Sequence, residues 1–82
     1  MKKILYFSAA WCGPCKQLGP VVTKLQSEGI NIQKIDVDTD PNSSAKYSIR
    51  SIPTLVVVNT EGMELSRSTG FKSEQEIKNM LN

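Results

Sequence analysis

The chain is predicted to adopt an α/β fold of order β-α-β-α-β-β-α, a four-stranded mixed sheet with helices on both faces, and three observations predict it. Unbroken apolar runs at Ile4–Phe7 and Thr54–Val58 read as strands buried on both faces rather than half-exposed ones. From Leu18 the apolar positions Val21, Val22 and Leu25 recur at helical spacing, and a strand, a helix of crossover length and a second strand imply a parallel pair. After Val58 the segment Asn59-Thr60-Glu61-Gly62 reads as a hairpin turn, which makes the last pair antiparallel.

Each element has its own signal. The first strand ends in small residues, Ser8-Ala9-Ala10, and is expected at the centre of the sheet. The helix that follows is expected to stop at Gly29, after Glu28, because a glycine takes the left-handed turn that closes a helix. Pro20 lies inside it, so a kink is expected near Gln17 to Pro20, where the ring crowds the preceding turn. Ile32–Val37 reads as the second strand, with Ile35 and Val37 on one face. Asp40 followed by Pro41 starts a short helix running to about Tyr47, the carboxylate capping free amides. Met63–Thr69 reads as an edge strand in which Met63, Leu65 and Arg67 alternate with polar residues. Ser73 and Glu76 form a capping box, and Ile77, Met80 and Leu81 make the apolar stripe of a last helix.

With 82 residues, positions 1–82 make one domain, since a chain this short has room for a single modest core. A formal charge of +2, from ten basic and eight acidic residues spread along the chain, leaves no footprint of the nucleic-acid-binding kind. Lys2 and Lys3 ahead of Ile4–Phe7 and Ser8-Ala9-Ala10 imitate a secretory signal. The apolar stretch is shorter than the roughly 7 to 15 residues such a signal needs, and cleavage after Ala10 would remove the first strand. A cytoplasmic, monomeric protein without membrane association is therefore expected. Two cysteines and no histidine exclude a multiply bridged scaffold and remove imidazole as ligand, base and pH switch.

The two cysteines carry the chemistry. In Trp11-Cys12-Gly13-Pro14-Cys15-Lys16 they stand three residues apart where the first strand hands over to the helix. In a helical turn that spacing brings α-carbons to about 5–6 Å, within the window of a disulfide, so the pair can open and close without moving the fold. Cys12 falls at the helix start, where free amides and the macrodipole favour an anion, and Cys15 one turn in, where it should be less accessible. A free cysteine of pKa about 8.5 is only roughly 3% thiolate at pH 7, against about half at a pKa near 7. Cys12 is thus the attacking group and Cys15 the resolving one. Pro14 costs little in the first turn and stiffens the loop. A structural zinc site would need four ligands, and only carboxylates remain to complete it, so no metal and no cofactor are expected.

These residues resemble the thioredoxin family over nearly the whole chain, from Ile4 onward, without the strand and helix that usually open that fold. Beyond Trp11–Lys16, the blocks Asp38-Thr39-Asp40-Pro41 and Lys46–Thr54 stand at the family's distances from the cysteines, and Gly62 and Gly70 match its hairpin and groove glycines. The resemblance implies a thioredoxin-like fold and reduction of protein disulfides through a mixed disulfide, with electrons from a separate reductase of the thioredoxin reductase kind. It implies a cis bond before Pro53 that faces the cysteines and turns Ile52 outward, to pair with an extended substrate. Trp11, Gly13, Pro14, Ile52, Pro53 and Gly70 are the substrate-binding residues it implies. Lys34 matches the family's lysine on the second strand, but the acidic partner expected six residues before the first cysteine is Tyr6. A phenol cannot act as base at pH 7, so Cys15 must lose its proton to water, to the departing sulfur or to neutral Lys34, and Tyr6 and Lys34 are candidates for tuning that step.

Two other functions compete. A glutaredoxin-type, glutathione-dependent enzyme uses the same minimal core, but Gly13-Pro14 is not the Pro-Tyr pair usual there, and no glutathione site is evident around Ser51–Thr54. A docking module with an incidental redox pair is the other; its role would survive replacement of both cysteines by serine.

Overall fold

The structure, a computed structural model, describes residues Met1–Asn82. Its elements are β1 (Lys3–Ser8), α1 (Gly13–Ser27), β2 (Ile32–Asp36), α2 (Pro41–Lys46), β3 (Thr54–Val58), β4 (Glu64–Thr69) and α3 (Glu74–Met80). The sheet order is β2-β1-β3-β4, with β1 parallel to β2 and the other two pairs antiparallel. The expected α/β architecture is present, with β1 and β3 in the middle.

Strict alternation along the central strands builds two cores. Ile4 and Tyr6 of β1, with Leu55 and Val57 of β3, meet Leu18, Val22 and Leu25 of α1 and Ile77 of α3. Leu5 and Phe7, with Val56 and Val58, face the other way, under Tyr47, Ile49 and Ile52. Both unbroken apolar runs are therefore buried on both faces.

α1 ends in a Schellman turn: Gly29 N–H donates to Gln26 O and Ile30 N–H to Leu25 O, each at 3.0 Å. Gly29 takes φ 93°, a value that a side chain would resist. The helix continues across Pro20 as one segment. Pro20 and Lys16 are both exposed, so water is at hand for the Lys16 carbonyl that has no Pro20 amide to accept from.

β4 lies at the edge of the sheet, as expected, and starts at Glu64 rather than Met63. Met63 is 65% and Leu65 50% exposed, because the pairing with β3 shifts between Val57 and Val58. That bulge leaves Leu65 unpaired, and no helix lies over this edge of the sheet. β2 stops at Asp36, but Val37 packs against the Phe7 side with Ile35, as expected.

α3 opens with the full capping box: Ser73 Oγ accepts from Glu76 N–H at 3.2 Å, and Glu76 Oε1 accepts from Ser73 N–H at 3.0 Å. The Ser73 backbone N–H first, then its hydroxyl, hold the Glu76 carboxyl below its ordinary value. That contribution is present above the ordinary glutamate pKa and lost as pH falls through the depressed one. Ser73→Ala is expected to cost about 1 kcal/mol at neutral pH, read as a lower urea midpoint at unchanged slope, with the deficit shrinking in acid.

Candidate active site

The site forms at the C-terminal end of β1, where the chain leaves the sheet and enters α1. Cys12 is the N-cap of α1, in extended conformation with φ −82° and ψ 112°, and Gly13 and Pro14 occupy the first helical positions. Pro14 there gives up only an amide that had no partner. The cysteines are joined as a disulfide with Cα atoms 5.3 Å apart, the separation a helical turn imposes. Cys15 N–H donates to Cys12 Sγ at 3.2 Å, so a helix amide points at that sulfur, and no acidic side chain stands in the first turn to oppose it. A thiolate at Cys12 would be held by this amide and by the helix dipole.

One expectation is corrected. Cys15 does not lie deeper than Cys12: the residues are 5% and 3% exposed. Ala9 clusters with both cysteines, and Val37 and Ile52 pack against that cluster. The inequality of the two thiols is electrostatic, set by which sulfur receives the helix amide.

Around the disulfide the implied binding residues divide. Trp11, 68% exposed, and Ile52 line one groove of about 460 Å³ with Val37, Ser44, Ile49, Arg50 and Ser51. Trp11 Nε1–H donates to Asp38 Oδ2 at 2.7 Å, which fixes the indole across the mouth of the groove. Pro53 is buried and its bond to Ile52 is cis, as the family resemblance implies. Gly70, at φ 92°, donates its N–H to Pro53 O at 2.9 Å and so anchors the start of β3 to the end of β4. Gly13 is exposed on α1, and neither glycine is among the residues lining the groove.

Tyr6 is 2% exposed on the α1 side of β1, and its hydroxyl donates to Cys15 O at 3.2 Å. Burial pushes the phenol above its ordinary value, with a smaller opposing effect from the Ser8 hydroxyl. Lys34 stands opposite Tyr6 in the β1–β2 register, but it is exposed and its Nζ donates to Thr23 Oγ1 at 2.6 Å. Tyr6 and Lys34 share a shallow depression beside Cys15 with Ser8, Lys16 and Asp36. The sequence reading missed Asp36 and the Trp11–Asp38 bond. Period-two counting from Lys34 would have put Asp36 on the same face.

With this geometry in place, comparison with known proteins is specific. The thioredoxin family model matches residues 1–82. A thioredoxin of Chlamydia trachomatis is 39% identical over 80 residues, 95% of this chain and 78% of that protein. One of Bacillus subtilis is 40% identical over 79 residues, 93% of this chain and 75% of that protein. Among solved structures, Fasciola hepatica thioredoxin superposes with a TM-score of 0.86 at 33% identity, over 98% of this chain and 77% of that one. A disulfide-forming Cys-Gly-Pro-Cys pair at a helix N-terminus, on a four-stranded sheet of this topology and with these relatives, places the chain in the thioredoxin family of thiol–disulfide oxidoreductases.

Proposed function

We propose that this domain of residues 1–82 reduces disulfides in other proteins by a two-step exchange. Cys12 thiolate attacks one sulfur of the substrate disulfide, forming a mixed disulfide and releasing the first substrate thiolate. Cys15 then attacks Cys12 Sγ, the Cys12–substrate bond breaks, and the second substrate thiolate leaves while the Cys12–Cys15 disulfide closes. The observation that carries this assignment of roles is the helix amide on Cys12 Sγ, which favours charge on that sulfur alone.

An extended substrate segment lies in the groove between Trp11 and Ile52, Gly13, Pro14 and Gly70 complete the surface around the disulfide, and buried Pro53 acts through its backbone beside Ile52. The apolar lining by Trp11, Val37, Ile49 and Ile52 suits many sequences rather than one. Such a reductant must be returned to its dithiol form by a second protein, for which a thioredoxin reductase is the partner, and it works in a reducing compartment, the cytoplasm, as a monomer. No helix is long and apolar enough to cross a membrane.

Insulin reduction tests the choice of reductase. With NADPH and a thioredoxin reductase the freed B chain should precipitate as the protein turns over. With glutathione and glutathione reductase it should stay at the uncatalysed rate, and the opposite pattern would favour the glutaredoxin-type reading. Replacing both cysteines by serine should stop the reaction; a docking module would keep its binding.

A further inference from the structure

We infer that Asp36 accepts the proton of the Cys15 thiol, through water, as the mixed disulfide is resolved. This rests on the two-step exchange proposed above. It starts from a depression of about 300 Å³ between α1 and the parallel strands, lined by Tyr6 and Ser8 of β1, Lys34 and Asp36 of β2, and Cys15, Lys16 and Gly19 of α1. Asp36 reaches it by alternation: it shares a face with Ile32 and Lys34 and stands opposite Ser8 in the parallel register. The depression is open, lined in part by Ala9 and Ala10 and in part by the polar groups of Ser8, Lys16, Lys34 and Asp36, and is large enough for water to bridge the carboxylate and the sulfur.

The groups that face Cys15 and Asp36 leave one acceptor. From β1 comes the Tyr6 phenol, which keeps its proton and whose hydroxyl is spent on Cys15 O. From β2 and α1 come the ammonium groups of Lys34 and Lys16, which are donors only. In the following turn, Asp38 carboxylate is engaged by Trp11 and Asp40 carboxylate by Ser43 N–H and hydroxyl. Asp36 Oδ1 accepts the Asp38 N–H at 2.8 Å, and its second oxygen has no hydrogen bond within the protein.

Free transfer from a thiol to a carboxylate is uphill by roughly four to five pH units, so the proton moves in concert with attack. The Cys15 S–H bond breaks, the proton passes through water to Asp36, and the sulfur's electron pair forms the bond to Cys12 Sγ. The substrate sulfur leaves with the pair of the broken disulfide and then takes up the proton that Asp36 held. The protein is thereby oxidised by two electrons and the substrate reduced by two, and Asp36 ends as it began.

Stopped-flow reaction of the reduced protein with Ellman's reagent separates the steps, since one coloured thiolate is released when Cys12 attacks and a second when Cys15 resolves. Asp36→Asn keeps an oxygen for the Asp38 N–H but cannot take a proton. It should leave the first release unchanged and slow the second at least about a hundredfold at pH 7, the low end of general-base contributions. The second release should then rise with pH over the range where wild type is flat, and Asp36→Glu should restore most of the rate. If Asp36 acted only through its charge, removing that charge would ease ionisation of Cys15 and speed the second release. An unchanged or faster second release overturns the inference.

Should Asp36→Asn fail to fold, the wild-type profile decides. A plateau that falls in acid supports the carboxylate, and a second release that tracks hydroxide throughout rejects it. A wild-type protein that never forms a Cys12 adduct would sink the two-step exchange instead, which is a different result.

Discussion

Cys12→Ser is expected to abolish disulfide reduction, by at least about a thousandfold, while Cys15→Ser keeps the first chemical step and stops at a covalent adduct. The difference follows from the α1 N-terminus. A serine at position 12 leaves no soft nucleophile where the Cys15 amide points, and the Cys15 sulfur, one turn into the helix, has no such amide to favour its thiolate. A serine at position 15 leaves that amide and the groove untouched, so Cys12 still attacks, but nothing remains to displace it. Mass spectrometry after incubation with a disulfide substrate should find a stable adduct on Cys12 in Cys15→Ser and none in Cys12→Ser. Equal alkylation of both thiols in the reduced wild type near pH 6, or an adduct on Cys15, would reverse the two roles.

How much of this was legible before the structure depends on the kind of signal. Elements whose cue is local came through with their ends: Gly29 closing α1, Asp40 capping α2, and Ser73 with Glu76 opening α3. Unbroken runs such as Ile4–Phe7 carry their meaning in themselves, because a strand can be apolar on both sides only at the centre of a covered sheet. The β4 alternation placed an edge strand, as found, but carries less. Period two in Met63, Leu65 and Arg67 says which residues share a face, but not whether anything covers it, and the bulge at Val57/Val58 is set by pairing between strands.

The site was readable to a similar depth. Cys12 and Cys15 as a disulfide-forming pair at a helix start follow from spacing and position, which one segment contains. The relative burial of the two cysteines does not, because it depends on Val37 and Ile52 arriving from two other segments. Asp36 was hidden for the same reason: its place beside Cys15 exists only once β2 has paired with β1. A carboxylate two residues after a strand lysine is unremarkable in sequence, and becomes a proton acceptor candidate only in a depression shared with a thiol.

Tyr6 stands where the family resemblance implies an acidic residue, and Tyr6→Asp should be among the most destabilising substitutions in the chain. The ring is 2% exposed within the core formed by Ile4, Leu18, Val22, Leu55 and Ile77. Truncating a buried aromatic costs about 3–5 kcal/mol, and burying a carboxyl in its place adds a further cost in the charged form. A chain of 82 residues has roughly 4–12 kcal/mol of stability in all, so most of it is at stake. Lys34, opposite in the register, could swing inward as a partner only by giving up Thr23 and its exposure to water, which limits the relief. Tyr6→Phe separates the contributions: it keeps the ring, loses only the hydroxyl bond to Cys15 O, and should cost about 1 kcal/mol. The pH dependence follows from the sign of the shift. A carboxyl whose pKa is raised on folding binds more protons in the native state, so stability falls as pH rises from the ordinary carboxylate value of about 4 to the raised one. Relative to wild type, Tyr6→Asp should therefore be least destabilised in acid and most destabilised at neutral pH, whereas Tyr6→Phe should show a constant offset. Urea titrations of the three proteins at several pH values between about 4 and 8 decide it. Parallel curves for Tyr6→Asp and wild type would mean that the new carboxyl reaches the water of the depression beside Cys15, and that the burial of the ring does not extend to a shorter side chain there.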